Sequence, residues 1–297
     1  MQCLASHLPP SLRVLHPASR ALRYQPGVPS TIGLAATPAS RTRGAVHQDM
    51  LPPGTCAQQT SHHGGVLRVA IISDLHANLE ALESFPETWD ELWVLGDLVN
   101  YGPNPREVIQ FVRDRATVVI RGNHDHAIGL GKDPRCSPRH RDMANAMGEF
   151  TAGVLNASEK EYLAGLPLTD SRIVDGKRFA LCHATPSDPL FDYCGPDSPQ
   201  WIDYAESISA DVLLAGHTHF PFIREGRGRI VANPGSLGQP KNGSPEACYA
   251  IWDGTRLELR SFPYPYERTI EKLNAIHLPS EVRNDLAAVL RNGGLRP

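Results

Sequence analysis

Four short motifs hold most of the side chains in this chain that could bind a metal or move a proton. They are Asp74-Leu75-His76, Gly96-Asp97, Gly122-Asn123-His124-Asp125 and Gly216-His217-Thr218-His219. Each stands just after a short apolar run (69–72, 92–95, 117–120 and 212–215) that reads as a buried strand, and His183 follows another at 178–182. Ligand-type side chains at the carboxyl ends of several buried strands converge on one crevice. Asp74, His76, Asp97, Asn123, His183, His217 and His219 offer oxygen or imidazole nitrogen, and none offers thiolate. That donor set suits a divalent ion such as Mn²⁺, Fe²⁺ or Zn²⁺ in a reactive site rather than a structural zinc knot. Seven groups exceed what one ion needs. Two ions sharing a bridging carboxylate is the economical reading, and such pairs stabilise in-line displacement at phosphorus.

The elements that must carry these motifs alternate. Helical patterns follow the first motif at 77–85 and the second at 104–114, where Pro105 takes a first-turn position. Alternation of strand and helix argues for α/β layering with the sheet buried. Residues 139–165 read as a helical insertion that walls a substrate pocket. Further strands are expected at 229–232, 247–252 and 256–262. The tail from 266 to 291 has helical spacing around a break at Pro279.

Residues 1–64 differ from the rest. They are rich in Pro, Ser, Ala and Arg, and Asp49 is their single acidic residue. Such a segment buries too little apolar surface to offset its ordering entropy, so it reads as a disordered leader ahead of one domain at 65–297. Its Arg-rich, acid-poor character also resembles an organellar transit segment, and Met50 offers an internal start. The net charge of −3 gives no electrostatic basis for nucleic-acid binding, and no apolar stretch is long enough to span a membrane. The six cysteines show no CxxC spacing, which fits reduced thiols and a cytoplasmic protein.

In this order, the Asp74-Leu-His76 motif, Gly96-Asp-Leu-Val-Asn-Tyr-Gly-Pro103, Arg121-Gly-Asn-His-Asp125, His183, Gly216-His-Thr-His219 and Asn233-Pro-Gly-Ser236 resemble the calcineurin-like binuclear metallophosphoesterase superfamily. More narrowly, they resemble its compact prokaryotic phosphatase and phosphodiesterase branch. The resemblance runs from about Val66 to the closing helices. It implies an α/β fold of two packed mixed β-sheets flanked by helices, in αββα layers. It implies that Asp74, His76 and His219 hold one metal, that Asn123, His183 and His217 hold a second, and that Asp97 bridges them. A hydroxide between the ions is the expected nucleophile. Two divalent ions are the expected cofactors, Mn²⁺ first, with Fe, Zn, Ni or Co as alternatives. The expected partner is a small phosphate ester.

The same resemblance places His124 off the metals and facing the substrate, where it protonates the leaving alkoxide, with Asp125 orienting the imidazole. His124 as a residue that only positions Asn123 is the competing reading. Asn78 reads equally as a helix cap or a phosphate contact, Asn233-Pro-Gly-Ser236 as a tight turn, and Arg121 as a strand-edge residue or a phosphate contact. Hydrolysis of nucleotides or dinucleoside polyphosphates and a non-catalytic scaffold are the alternative functions. Phosphoprotein phosphatases fit less well, because Asn100 and Tyr101 stand where those relatives carry an aspartate and an arginine.

Overall fold

The computed structural model describes residues 66–295; the leader assigned to 1–64 lies outside the described residues. Two five-stranded sheets face each other. In the first, β1 (Val69–Ile72) pairs in parallel with β2 (Glu91–Val94), which pairs in parallel with the short β3 (Val118–Val119). The second begins with the antiparallel pair β4 (Thr169–Val174) and β5 (Lys177–Cys182). It continues through parallel pairings of β5 with β6 (Val212–Leu214) and of β6 with β8 (Arg229–Asn233), and ends at β7 (Phe222–Gly226), antiparallel to β8. Back on the first sheet, β9 (Ala247–Trp252) runs antiparallel to β1 and carries β10 (Leu257–Phe262) on its outer edge. Both sheets are therefore mixed.

The period of two sorts each central strand into its layers. Val69 and Ile71 of β1 and Trp93 of β2 meet Phe179, Leu181, Val212 and Leu214 in the core between the sheets. Ala70, Ile72, Leu92 and Val94 point the other way, onto α1 (Leu79–Glu83) and α2 (Pro105–Arg115). Behind the second sheet, α6 (Gln200–Ser207) lays Trp201 and Ala205 on Leu213 and Val231. Helices thus cover both outer faces, which gives the αββα layering that the resemblance implies.

The segment 139–165 contains α4 (Arg141–Val154) and α5 (Ala157–Gly165), the latter opened by a capping box between Asn156 and Glu159. The chain closes with α7 (Tyr266–Asn274) and α8 (Ser280–Asn292) on either side of Pro279. Met143 and Met147 of α4 pack with Ile270, Leu273, Leu286 and Leu290 of these helices into a separate apolar cluster that also takes in Tyr101. No described helix is long and apolar enough to cross a membrane.

Three elements have no clear signal in the sequence: β4, β7 and α6. The two strands are edge strands of the second sheet. Thr169-Asp-Ser-Arg-Ile-Val174 has only Val174 buried, so it lacks the apolar run that marks a central strand.

Trp93, Phe179 and Trp252 stack edge-to-face at 5.2–5.4 Å across the two sheets and are fully buried. Phe179→Ala removes the middle of this stack and leaves a cavity. It should lower unfolding free energy by about 3–5 kcal/mol in urea titrations, the usual cost of truncating a large core aromatic.

Candidate metal centre

The ligand-type residues sit on turns that leave the strands, not on the strands themselves. Asp74, His76, Asp97, His217 and His219 all have left-handed backbone, with φ of 54°, 45°, 56°, 66° and 64°. Such conformations are uncommon for residues with a Cβ and persist where surrounding contacts fix them. The contacts here are ladder-like: Asp74 N donates to Gly96 O at 3.0 Å, His76 N to Asp97 O at 2.9 Å and Ala77 N to Leu98 O at 2.8 Å. The turns after β1 and β2 therefore hold each other. Gly122 starts the third motif against Asp97, and a Cβ there would collide with the Asp97 backbone and carboxylate.

The turn after β6 is fixed from below. Asn233 Nδ2 donates to Gly216 O at 2.6 Å and to Thr218 Oγ1 at 3.1 Å, while Asn233 Oδ1 accepts from Gly235 N. His217 N then donates to Asp74 Oδ2 at 3.1 Å, which ties this turn to the first.

All seven predicted donors come together, in two groups. Asp74, His76 and His219 form one; Asp97, His183 and His217 form the other, with the donor atoms of each group within 4.8 Å of one another. Asn123 joins the second, its Oδ1 lying 3.1 Å from both His183 Nε2 and His217 Nδ1. Asp97 Oδ2 lies between the groups, 3.3 Å from His183 Nε2 and 3.8 Å from His76 Nε2.

Tautomers sharpen the chemistry. His76, His183 and His219 set Nδ1 against the carbonyls of Val99, Leu95 and Gln239 at 3.1, 2.7 and 2.5 Å. A carbonyl only accepts, so each Nδ1 carries a proton and a neutral ring turns its Nε2 lone pair inward. Burial holds His76 well below the usual imidazole pKa, and burial together with Lys241 lowers His219. Their Nε2 atoms nevertheless face each other at 3.1 Å, and Asp74 Oδ1, buried without a hydrogen-bond partner among the described residues, lies 3.3 Å from His219 Nε2. Electron-rich atoms at such spacing repel unless a cation lies among them. Burial also opposes charge on His183, yet Asp97 and Asp74 lift it to about 9. A proton there is one way to meet the carboxylate charge; a metal ion is the other. The donors and their lone pairs fit divalent metals.

His124 and Asp125 lie on the first turn of α3 (Asn123–Leu130). The expectation that Asp125 orients the His124 imidazole is overturned. Asp125 Oδ2 accepts from Asp97 N at 2.8 Å and Gly122 N at 2.9 Å, and Oδ1 from Leu98 N at 2.8 Å. Its carboxylate is a clamp that fixes the Asp97 turn to α3. Asn100 contacts His124 instead, with Nδ2 2.8 Å from Nδ1, while Cys136 Sγ is 3.4 Å from Nε2. Burial disfavours a charged His124, but Asp97 and Cys136 outweigh it and raise its pKa.

The family model of the calcineurin-like phosphoesterase superfamily domain matches residues 67–256. The chain belongs to this superfamily. It is 30% identical over 238 residues to the uncharacterized protein MJ0912 of Methanocaldococcus jannaschii, covering 71% of this chain and 93% of that protein. Phosphodiesterase YfcE of Escherichia coli is 26% identical over 213 residues, covering 65% of this chain and 91% of the relative. The crystal structure of a metallophosphoesterase from Sphaerobacter thermophilus superposes with a TM-score of 0.63 at 30% identity, covering 75% of this chain and 99% of that one.

The remaining residues singled out in the sequence of this metallophosphoesterase have structural partners. Asn78 caps α1 by accepting from Ala81 N at 3.2 Å. Ser236 Oγ donates to Asp74 O at 2.7 Å, and Gly235 has φ of 80°, as a tight turn requires. Arg121 Nη1 donates to Ala164 O at the end of α5. Tyr101 of the second motif lines the pocket over the candidate metals together with Cys136, His140, Tyr193 and Lys241, which carry no motif of their own. Tyr193 packs its ring on His217 at 4.1 Å.

Asp125→Ala leaves three buried N–H groups unpaired, and each such loss costs about 1–3 kcal/mol. The variant should lose metal and melt at lower temperature, whereas Asn100→Ala should keep both metals and shift the pH profile of turnover. Metal analysis, thermal melts and pH–rate curves check this pair.

Proposed function

We propose that this enzyme hydrolyses small phosphate esters with two divalent ions, Mn²⁺ first. Asp74, His76 and His219 would hold one, Asn123, His183 and His217 would hold the other, and Asp97 would serve both. The observation that carries this reading is the inward convergence of lone pairs from two buried trios, with Asp97 Oδ2 between them. Bound together, the ions would supply a water-derived nucleophile at neutral pH and draw charge from the phosphoryl oxygens.

The chain's own residues do the rest. Backbone clamps from Asp125 and Ser236 fix the two carboxylates. His124 stands at the pocket wall, and Asp97 and Cys136 raise its pKa, which favours the imidazolium that would deliver a proton to the leaving alkoxide. The Escherichia coli relative is named a phosphodiesterase, which puts diesters beside monoesters in the first substrate screen.

Purified protein reconstituted with Mn²⁺ should carry two ions per chain, and Asp97→Ala should lose both ions' tight binding together with activity. A stoichiometry that never exceeds one, with Asp97→Ala binding metal normally, would overturn the two-ion site. A second prediction separates the roles within the third motif. Asn123→Ala should lower metal occupancy and rate, whereas His124→Ala should keep both ions and lose about 10²–10⁴-fold in turnover. That loss should shrink for esters of acidic phenols, whose leaving groups depart unprotonated. Equal losses across a series of leaving groups would reduce His124 to a positioning residue.

A further inference from the structure

Lys241 is the one pocket residue that is a lysine or arginine. Its Nζ lies 3.5 Å from His219 Nε2, at the face of the pocket that also holds His124 and His140. Among the described residues its ammonium is paired with no carboxylate. The ammonium donates to the lone pair of His219 Nε2, and a divalent ion that took that lone pair would remove the acceptor and repel the lysine. With both ions in place, an anion entering the pocket would give the ammonium a new partner.

The backbone presents this side chain firmly. Two residues before it, Gln239 N donates to Ser236 Oγ at 2.8 Å and Gln239 O accepts from His219 Nδ1 at 2.5 Å. Two residues after it, Gly243 N donates to Gly293 O at 2.8 Å, where α8 ends. Lys241 is thus strung between the candidate metal centre and a helix terminus. The carboxylates that draw on its charge are Asp74 and Asp97, and the nearby imidazoles are His140, His124 and His219.

Resting on the proposed hydrolysis of phosphate esters, we propose that Lys241 anchors a non-bridging phosphoryl oxygen and tilts the site toward phosphomonoesters over diesters. Coulomb attraction scales with the charge of the bound group. A monoester near neutrality carries close to two negative charges, because its second pKa is about 6, whereas a diester carries one. A diester also blocks, with its second substituent, one of the oxygens that an ammonium would contact. An ammonium is a compact point charge suited to this contact.

The test uses the full chain loaded with Mn²⁺, with Lys241→Gln and Lys241→Arg beside it. Readouts are metal per chain, melting temperature, calorimetric binding of orthophosphate and of dimethyl phosphate, and KM for p-nitrophenyl phosphate and bis(p-nitrophenyl) phosphate. Lys241→Gln should keep both ions and weaken orthophosphate binding about 10–100-fold, the span of a lost charge-assisted hydrogen bond. Its KM for the monoester should rise in parallel, with diester KM and dimethyl phosphate binding changing less than about threefold on the same charge argument. Lys241→Arg should restore most of the monoester preference. Equal changes for both ester classes, unchanged orthophosphate binding, or metal loss in both variants overturns the assignment. Wild-type protein that holds two ions yet hydrolyses neither ester sinks the proposed reaction, and the orthophosphate measurement still decides on Lys241.

Discussion

Two carboxylates, Asp74 and Asp97, sit out of water at the carboxyl ends of adjacent strands, and the rest of the site is arranged around that fact. An ionised carboxylate in a protein interior is costly unless paired and hydrogen-bonded. Burial pushes both groups toward the neutral form, but imidazoles overcome it: His219 and His183 for Asp74, His183 and His124 for Asp97. Backbone donors complete the satisfaction, His217 N on Asp74 and His124 N on Asp97. Burial lowers His219 while the carboxylates raise His183 and His124, so protons on imidazoles are one neutralising charge and divalent ions among the same donors would be the other.

This requirement explains the unusual backbone. Side chains on a straight parallel strand alternate between the two faces, and both faces here are filled with core. Ligands can reach a common point only beyond the strand ends, where the chain must turn sharply inward. Left-handed residues make that turn at a cost of order 1–2 kcal/mol each. The mutual hydrogen bonds of the first two motifs lock these turns. Backbone pairing between the turns and the spacing of the donors are therefore one problem.

Much of this was legible in the sequence, because the donors are contiguous with apolar runs whose period fixes where each strand ends. The α/β layering and the convergence of seven donors follow from that pattern. The role of Asp125 was not legible. Successive residues of a helix point about 100° apart, so Asn123, His124 and Asp125 fan out toward the metal position, the pocket and the Asp97 turn in three directions. Adjacency in the sequence suggested a His–Asp pair that the first turn of α3 forbids. Lys241 and Tyr193 escaped notice for another reason. They reach the pocket from loops with no period and no motif, and only the tertiary fold brings them to His219 and His217.

The substitution of an amide at position 100 has its own logic. A carboxylate against His124 Nδ1 would favour the imidazolium strongly and resist giving up its proton. Asn100 is neutral and two-sided. Its Nδ2 lies 2.8 Å from Nδ1, while its Oδ1 is buried without a hydrogen-bond partner among the described residues. The Nδ2 group donates to a neutral ring, and a half-turn of the amide brings Oδ1 to accept from an imidazolium Nδ1–H. One side chain can thus hold the ring in the same place in both protonation states. The upward shift of the His124 pKa then comes from Asp97 and Cys136. A neutral amide is thus a partner for His124 in either form, whereas a carboxylate would bind only the charged one.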